Sequence, residues 1–257
     1  TIGGMRSAPR TTGIRTIDYF ISSEDLEPEG AEGHYSEKLV RFSRLPTYYY
    51  KPRILGAPKS RAFWGFSEDA HIYLCPQSLF KFHPDFDDYL GEILRADPRG
   101  RVILIDAPCS EWNHLLLTRL NVAIPDVMDR ITFVPRQDGD DYLSLVNSAD
   151  VVLDPFHFGG GNTTYECLAF GTPIVTLPGQ FMRGRVTYAC YRKMEMEECI
   201  AATPREYVDI ALRLGTDSSW REKIRKKILA ANHVLYEDIE AVRELERFLA
   251  DIANKKS

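Results

Sequence analysis

The stretch VVLDPFHFGGGNTTYECLAFGTPIVTLP, residues 151–178, decides the fold. It opens on Val151–Pro155, an apolar, β-branched run that reads as a buried strand, and it closes on a second such run, Thr172–Pro178. Between them Thr163–Phe170 suits a helix, and Gly159, Gly160 and Gly161 supply a tight loop before it. Strand, loop, helix and strand in one short span make a βαβ unit, whose two strands lie parallel in a common sheet.

The same alternation extends upstream. His71–Pro76 (HIYLCP), Arg101–Asp106 (RVILID) and Ile131–Pro135 (ITFVP) read as three further strands, with a weaker one at Glu198–Ala201. Their near-continuous apolar character suits strands covered by helices on both faces. The intervening segments Pro84–Asp97, Glu111–Asn121, Asp140–Ser148 and Gly184–Lys193 fit helices. After Pro204 the pattern is purely helical, through REYVDIALRL, SWREKIRKKILAANHVL and EDIEAVRELERFLADIA. The basic cluster Arg221–Lys227 is read as a solvated helix face, and the Lys255–Lys256 end as frayed. Residues 16–50 differ: a strand TIDYFISS, a turn, a helix AEGHYSEKL and the aromatic run Tyr48–Tyr50 are too little to fold alone and should dock on something. The expected organisation is an amino-terminal remnant (1–50), a linker (51–60), a Rossmann-like domain (61–204) and carboxyl-terminal helices (205–257).

Bulk properties narrow the functions. A formal net charge of −5 over 257 residues argues against a long polyanion as partner, so nucleic acid is not expected. No apolar run approaches the roughly 18 residues that span a bilayer, and TIGGMRSAPR lacks a secretory signal's apolar stretch. Five cysteines without a C-x-x-C pair read as reduced thiols, so a cytoplasmic location without a membrane partner is expected.

In open parallel α/β sheets, ligands bind where loops and helix amino termini converge at the carboxyl ends of the strands. The unusual residues gather there: Gln77–Lys81 after the first strand, Arg136–Gly139 and Tyr142 after the third, His157–Thr164 after the fourth, and Gly179 with Arg183–Arg185 after the fifth. Gly160, Gly161, Asn162, Thr163 and Thr164 read as a diphosphate cradle at a helix start, with N–H groups and both threonine hydroxyls facing the ligand. Taken alone the stretch is equally a glycine-rich turn with a threonine cap. Glu166, placed in the first turn of that helix, would accept from ribose hydroxyls or merely favour the helix start. P-loop, G-x-G-x-x-G and G-x-S-x-G spacings are absent. His71, His83 and His114 have no partner spacing and read as structural, and His34 as a surface residue; His157 borders the glycine loop.

Several segments resemble the catalytic region of the O-linked N-acetylglucosamine transferase and SPINDLY-like glycosyltransferases, a GT-B family. They are TTGIRTIDYFISS, AEGHYSEKLV, CPQSLFKFHP, ITFVP, ADVVLDPF, GGGNTTYECLAFGTPIVTLPG and RGRV, in family order from about residue 11 to 215. The resemblance implies an α/β fold: the GT-B carboxyl-terminal lobe, a Rossmann-like parallel sheet with helices on both faces, plus carboxyl-terminal helices and a remnant of the amino-terminal lobe. It implies inverting transfer of a sugar from a nucleoside-diphosphate sugar, with UDP or GDP, to a protein or peptide acceptor. Lys81 would be the catalytic group that neutralises the leaving diphosphate, with Gln77 beside it. Thr163 and Thr164 would hold phosphate oxygens, Glu166 the ribose, Gln137 the base through backbone contacts and Tyr142 a face of the base. Gln77 could instead cap a helix, Lys81 lie on the surface and Tyr142 belong to the core. No cofactor and no metal are expected.

The sequence departs from the family at three points. Asn162 stands where some relatives carry histidine, Gly139 and Tyr142 replace a lysine and a histidine, and most of the amino-terminal lobe is missing, with any tetratricopeptide repeats that precede it. Two other readings stay open: a non-catalytic sugar-nucleotide-binding module or fragment, and a sugar-nucleotide epimerase.

Overall fold

A computed structural model describes residues 2–3, 11–54 and 56–255. The remaining amino-terminal residues, Leu55 in the expected linker and the expected frayed end at Lys256 lie outside the described residues.

Five parallel strands form the main sheet: β4 (His71–Cys75), β5 (Gly100–Ile105), β6 (Ile131–Val134), β7 (Val151–Leu153) and β8 (Ile174–Val175). Their spatial order is β6-β5-β4-β7-β8. The chain builds outward from β4 to β6, then returns to lay β7 against β4 on the other side, in register Tyr73 with Val151 and Leu74 with Val152. That reversal is a topological switch point, and it opens a crevice outside the carboxyl ends of β4 and β7. The sheet is buried on both faces, as its apolar runs require; Ile72, Leu74, Val151 and Leu153 are wholly inaccessible. The weak sixth strand is reduced to one bridge, Ile200 with Thr176.

Helices α1 (Asp85–Ala96), α2 (Ser110–Ala123), α3 (Gly139–Ser148), α4 (Asn162–Ala169) and α5 (Val186–Lys193) link the strands. Asp85, Asp87 and Asp88 crowd the first turn of α1, where the helix field favours negative charge. Helices α6 (Pro204–Thr216), α7 (Ser218–Ala231) and α8 (Ile239–Lys255) complete the chain. Thr203 caps α6 by accepting from the Glu206 N–H at 3.2 Å, with Pro204 at the first helical position.

The amino-terminal remnant is a second sheet of β1 (Ile2–Gly3), β2 (Tyr19–Ser23) and β3 (Lys38–Phe42), all parallel. Here the structure corrects the sequence reading. AEGHYSEKL is not a helix: Ala31–His34 form one 3-10 turn, entered through Gly30 at φ 76°, and Lys38 onward is strand. The charges in the segment mimic a helix face, yet KLVRF finds its backbone partners along β2, from Tyr19 paired with Lys38 to Ser23 paired with Phe42. The remnant does dock, since Phe20, Leu26 and Leu45 join the same apolar core as the main sheet.

Candidate functional site

The switch-point crevice is walled by the loops that follow β4 and β7, and it brings together Gln77, Lys81, Gly159 and Thr163. Gln77, 5 % exposed, donates from Nε2 to the Thr163 hydroxyl at 2.6 Å, and its Oε1 accepts from Lys81 Nζ at 2.8 Å. Lys81 also donates to the Gly159 carbonyl at 2.8 Å, and its ammonium sits 4.5 Å from the centre of the Phe158 ring. Lysine, glutamine and threonine thus form one chain of donors from the β4 loop to the start of α4. Gln77 is not a helix cap and Lys81 is not a free surface lysine. Burial holds the Lys81 ammonium below the usual lysine range, with the Asp154 charge partly offsetting it.

The glycine loop is shaped by what stands beneath it. Asp154, just beyond the end of β7, is buried; it accepts from the Gly160 N–H at 2.6 Å and the Thr176 hydroxyl at 2.8 Å. Burial raises its carboxyl, and those two donors with Thr187 oppose the rise. A side chain at Gly159 would strike this carboxylate at 2.8 Å. One at Gly160 would meet the hydroxyls of Thr164 and Thr163 at 2.6 and 2.8 Å and Gln77 Nε2 at 3.0 Å. At Gly161, which precedes the first residue of α4, an added Cβ meets nothing within 4 Å, so the space over the helix start is open to a ligand. From the other side the Arg183 carbonyl receives the Gly159 N–H at 2.9 Å, so the RGR segment braces the loop.

Thr163 and Thr164 differ. Thr163 is half-buried beside Gln77, whereas Thr164 is 2 % exposed and its hydroxyl pairs inward with Thr187 at 2.9 Å. The sequence reading faced both hydroxyls toward the ligand; the structure turns that of Thr164 into the interior. Glu166 also moves. Because α4 starts at Asn162, Glu166 falls in its second turn and the first turn holds no acid, which removes the helix-start explanation. Its half-buried carboxyl is raised by burial, with Tyr142 opposing. Tyr142, on α3, packs against the core and turns its buried hydroxyl toward Glu166. Asn162 is exposed and accepts from the Tyr49 hydroxyl. Gln137 lies beyond the end of β6, where its side chain turns back to donate to the Pro135 carbonyl at 2.7 Å.

Two features were missed in the sequence. Asp154 reads there as an ordinary loop acid, with nothing to mark it as the loop's anchor. His83 was assigned no partner, yet the pairing of β4 with β7 brings it, Asp85 and His157 together; the His157 and His83 rings are 5.0 Å apart. A hollow of about 440 Å³ is lined by Arg192 of α5, by Glu195, Glu197 and Glu198 ahead of the Ile200 bridge, and by Lys227 of α7. It plays no part in the crevice.

Comparisons with known proteins bear on this geometry. The profile of glycosyl transferase family 41 matches residues 54–237. A probable UDP-N-acetylglucosamine–peptide N-acetylglucosaminyltransferase SPINDLY of Solanum lycopersicum is 27% identical over 226 residues, which cover 86% of this chain and 24% of the relative. The corresponding enzyme of Caenorhabditis elegans is 29% identical over 172 residues, 67% of this chain and 15% of its own. Among solved structures, a mutant O-GlcNAc transferase of Thermobaculum terrenum superposes with a TM-score of 0.79 at 29% identity, covering 94% of this chain and 46% of that one. WaaG, a glycosyltransferase involved in lipopolysaccharide biosynthesis, shares the fold alone, with a TM-score of 0.58 at 16% identity. The chain spans about a quarter of the length of the SPINDLY proteins it matches. Among the described residues, no helix is long and apolar enough to cross a membrane.

Proposed function

Since the chain belongs to glycosyl transferase family 41, we propose that its crevice binds the nucleoside diphosphate of an activated sugar and serves an inverting transfer of that sugar to a protein or peptide acceptor. The observation that carries this reading is the donor chain Lys81–Gln77–Thr163, which faces the open space over Gly161 and the start of α4.

The diphosphate lies over the helix start, where Thr163 and free backbone N–H groups address its oxygens. Gly160 and Gly161 allow close approach, and Thr164 contributes by anchoring the helix start to Thr187. The Glu166 carboxylate accepts from ribose hydroxyls, Tyr142 lies against the ribose and base, and Gln137 borders the base. As an acceptor oxygen attacks the anomeric carbon, the bond to the diphosphate oxygen breaks and negative charge grows on the leaving group. Lys81 neutralises that charge, which is worth most in a partly desolvated site. No metal is needed at the diphosphate.

The relatives' names make UDP-N-acetylglucosamine the first donor to test, with GDP as comparison because Gly139 and Tyr142 depart from the family pattern. Acceptor binding falls to an amino-terminal lobe, with or without tetratricopeptide repeats, outside these residues. The five free cysteines, four of them buried, suit a reducing cytoplasm. Calorimetric titration with UDP and GDP, alongside Lys81→Ala, tests the reading. Saturable binding weakened at least tenfold by the substitution, about 1.4 kcal/mol, supports it. Binding of neither nucleotide, or equal binding to the variant, overturns it.

A further inference from the structure

We propose that His83, Asp85 and His157 bind a divalent transition-metal ion of the zinc type, which clasps the loop after β4 to the loop after β7. The inference is independent of the donor reading, because the three side chains lie outside the chain of donors that addresses the diphosphate.

His83 Nδ1 lies 3.2 Å from one Asp85 oxygen, and His157 Nε2 lies 3.0 Å from the other. One donor atom from each residue falls within 4.8 Å of both others. Zinc bonds nitrogen and oxygen at about 2.0–2.1 Å, so neighbouring ligands in a tetrahedral site stand about 3.3 Å apart. Each imidazole nitrogen already stands near that spacing from one of the two Asp85 oxygens, and bringing all three ligands onto one ion moves only exposed side chains. The Asp85 N–H also points at His83 Nδ1, at 3.3 Å.

Two imidazoles and one carboxylate suit zinc and its neighbours in the first transition row better than magnesium or calcium, which favour all-oxygen shells. All three side chains are exposed, so a fourth position is left for water and the site can exchange its ion. His83 lies two residues beyond Lys81 and His157 two residues before Gly159. A bound ion would hold both walls of the crevice in one register without touching the diphosphate.

The test is cobalt(II) titration of tag-free protein, read by visible absorption. One equivalent should give the mid-visible band of a four-coordinate nitrogen and oxygen site, zinc should displace it, and His83→Ala and His157→Ala should each abolish it with the far-ultraviolet circular dichroism unchanged. Should His157→Ala disturb the glycine loop, His83→Ala decides the question by itself. Absence of the band would overturn the proposal and leave an ordinary histidine–aspartate pair. So would a band that survives His83→Ala, with a near-ultraviolet thiolate feature placing the metal at Cys109 instead.

Discussion

The two sheets of the molecule are not sealed to the same degree. The five-stranded sheet is sealed from within: strands β4 and β7 are buried almost end to end, and helices cover both faces. The three-stranded sheet is divided: β2 is buried and joins the same core through Phe20, while β3 is held from outside. Strand β3 is exposed or half-exposed at four of five positions, and groups from the far end of the chain close on its end. Phe248 of α8 meets Tyr19 edge-on at 5.4 Å and Phe42 at 5.7 Å. Glu244 accepts from the Ser43 and Arg44 N–H groups at 2.8 and 3.2 Å, and Asp238 joins Arg44 to Lys193 of α5. The remnant is thus a part of the carboxyl-terminal half in energetic terms, whatever lobe it belongs to by sequence. A tightly packed sheet can position a site, while a sheet clamped by a surface helix can open without disturbing it.

Phe248→Ala should break the comparison most visibly. A fully buried phenylalanine costs about 3–5 kcal/mol to truncate, and a half-buried one about 2 kcal/mol. If the clamp alone holds the remnant, native-state hydrogen exchange should accelerate about thirtyfold through β2 and β3, since each tenfold corresponds to about 1.4 kcal/mol, with β4, β5 and β7 unchanged. Acceleration spread evenly over both sheets would show that the molecule opens as one unit and that the contrast is false.

Gly160→Ala probes the sealed sheet at its one open edge. The new methyl meets Thr163, Thr164 and Gln77 at 3.0 Å or less, where only the glutamine amide has room to give, so the start of α4 must shift. Donor nucleotide affinity should fall at least tenfold, about 1.4 kcal/mol, while the exchange pattern of both sheets keeps its contrast. Unchanged affinity would mean that the ligand sits elsewhere.

Such an outcome bears on how much of the molecule is legible in its sequence. The strand–helix alternation was legible because each strand is a continuous apolar run and each helix has its own period. The order β6-β5-β4-β7-β8 was not, since it depends on which strand returns to β4, a choice made by packing across the sheet. That choice makes the site: Lys81 and Thr163 become neighbours because β4 lies beside β7, and His83 gains His157 for the same reason. The segment AEGHYSEKL misled because its charges carry a helical spacing while its hydrogen bonds are settled by β2, and the inward turn of Thr164 follows from Thr187, which no local pattern announces.

The smallest effect expected is a pH profile, and it separates the two ends of the crevice. On the proposed reading, donor binding requires Lys81 charged and Glu166 ionised. Burial lowers Lys81, so its charge is lost at a lower pH than for a free lysine, and affinity should fall as pH rises through that lowered value. Burial raises Glu166, so its carboxylate is lost at a higher pH than usual, and affinity should fall as pH drops through that raised value. Titration with UDP-N-acetylglucosamine, whose phosphodiesters do not ionise in this range, should therefore show two limbs inside the ordinary lysine and glutamate limits. Arginine stays protonated throughout, so Lys81→Arg should remove the part of the alkaline limb that belongs to the protein and leave the acid limb in place. Glu166→Gln should do the reverse. An alkaline limb unchanged by Lys81→Arg would assign it to the base of the ligand, and Lys81 would then contribute position to the cradle without the charge that the transfer requires.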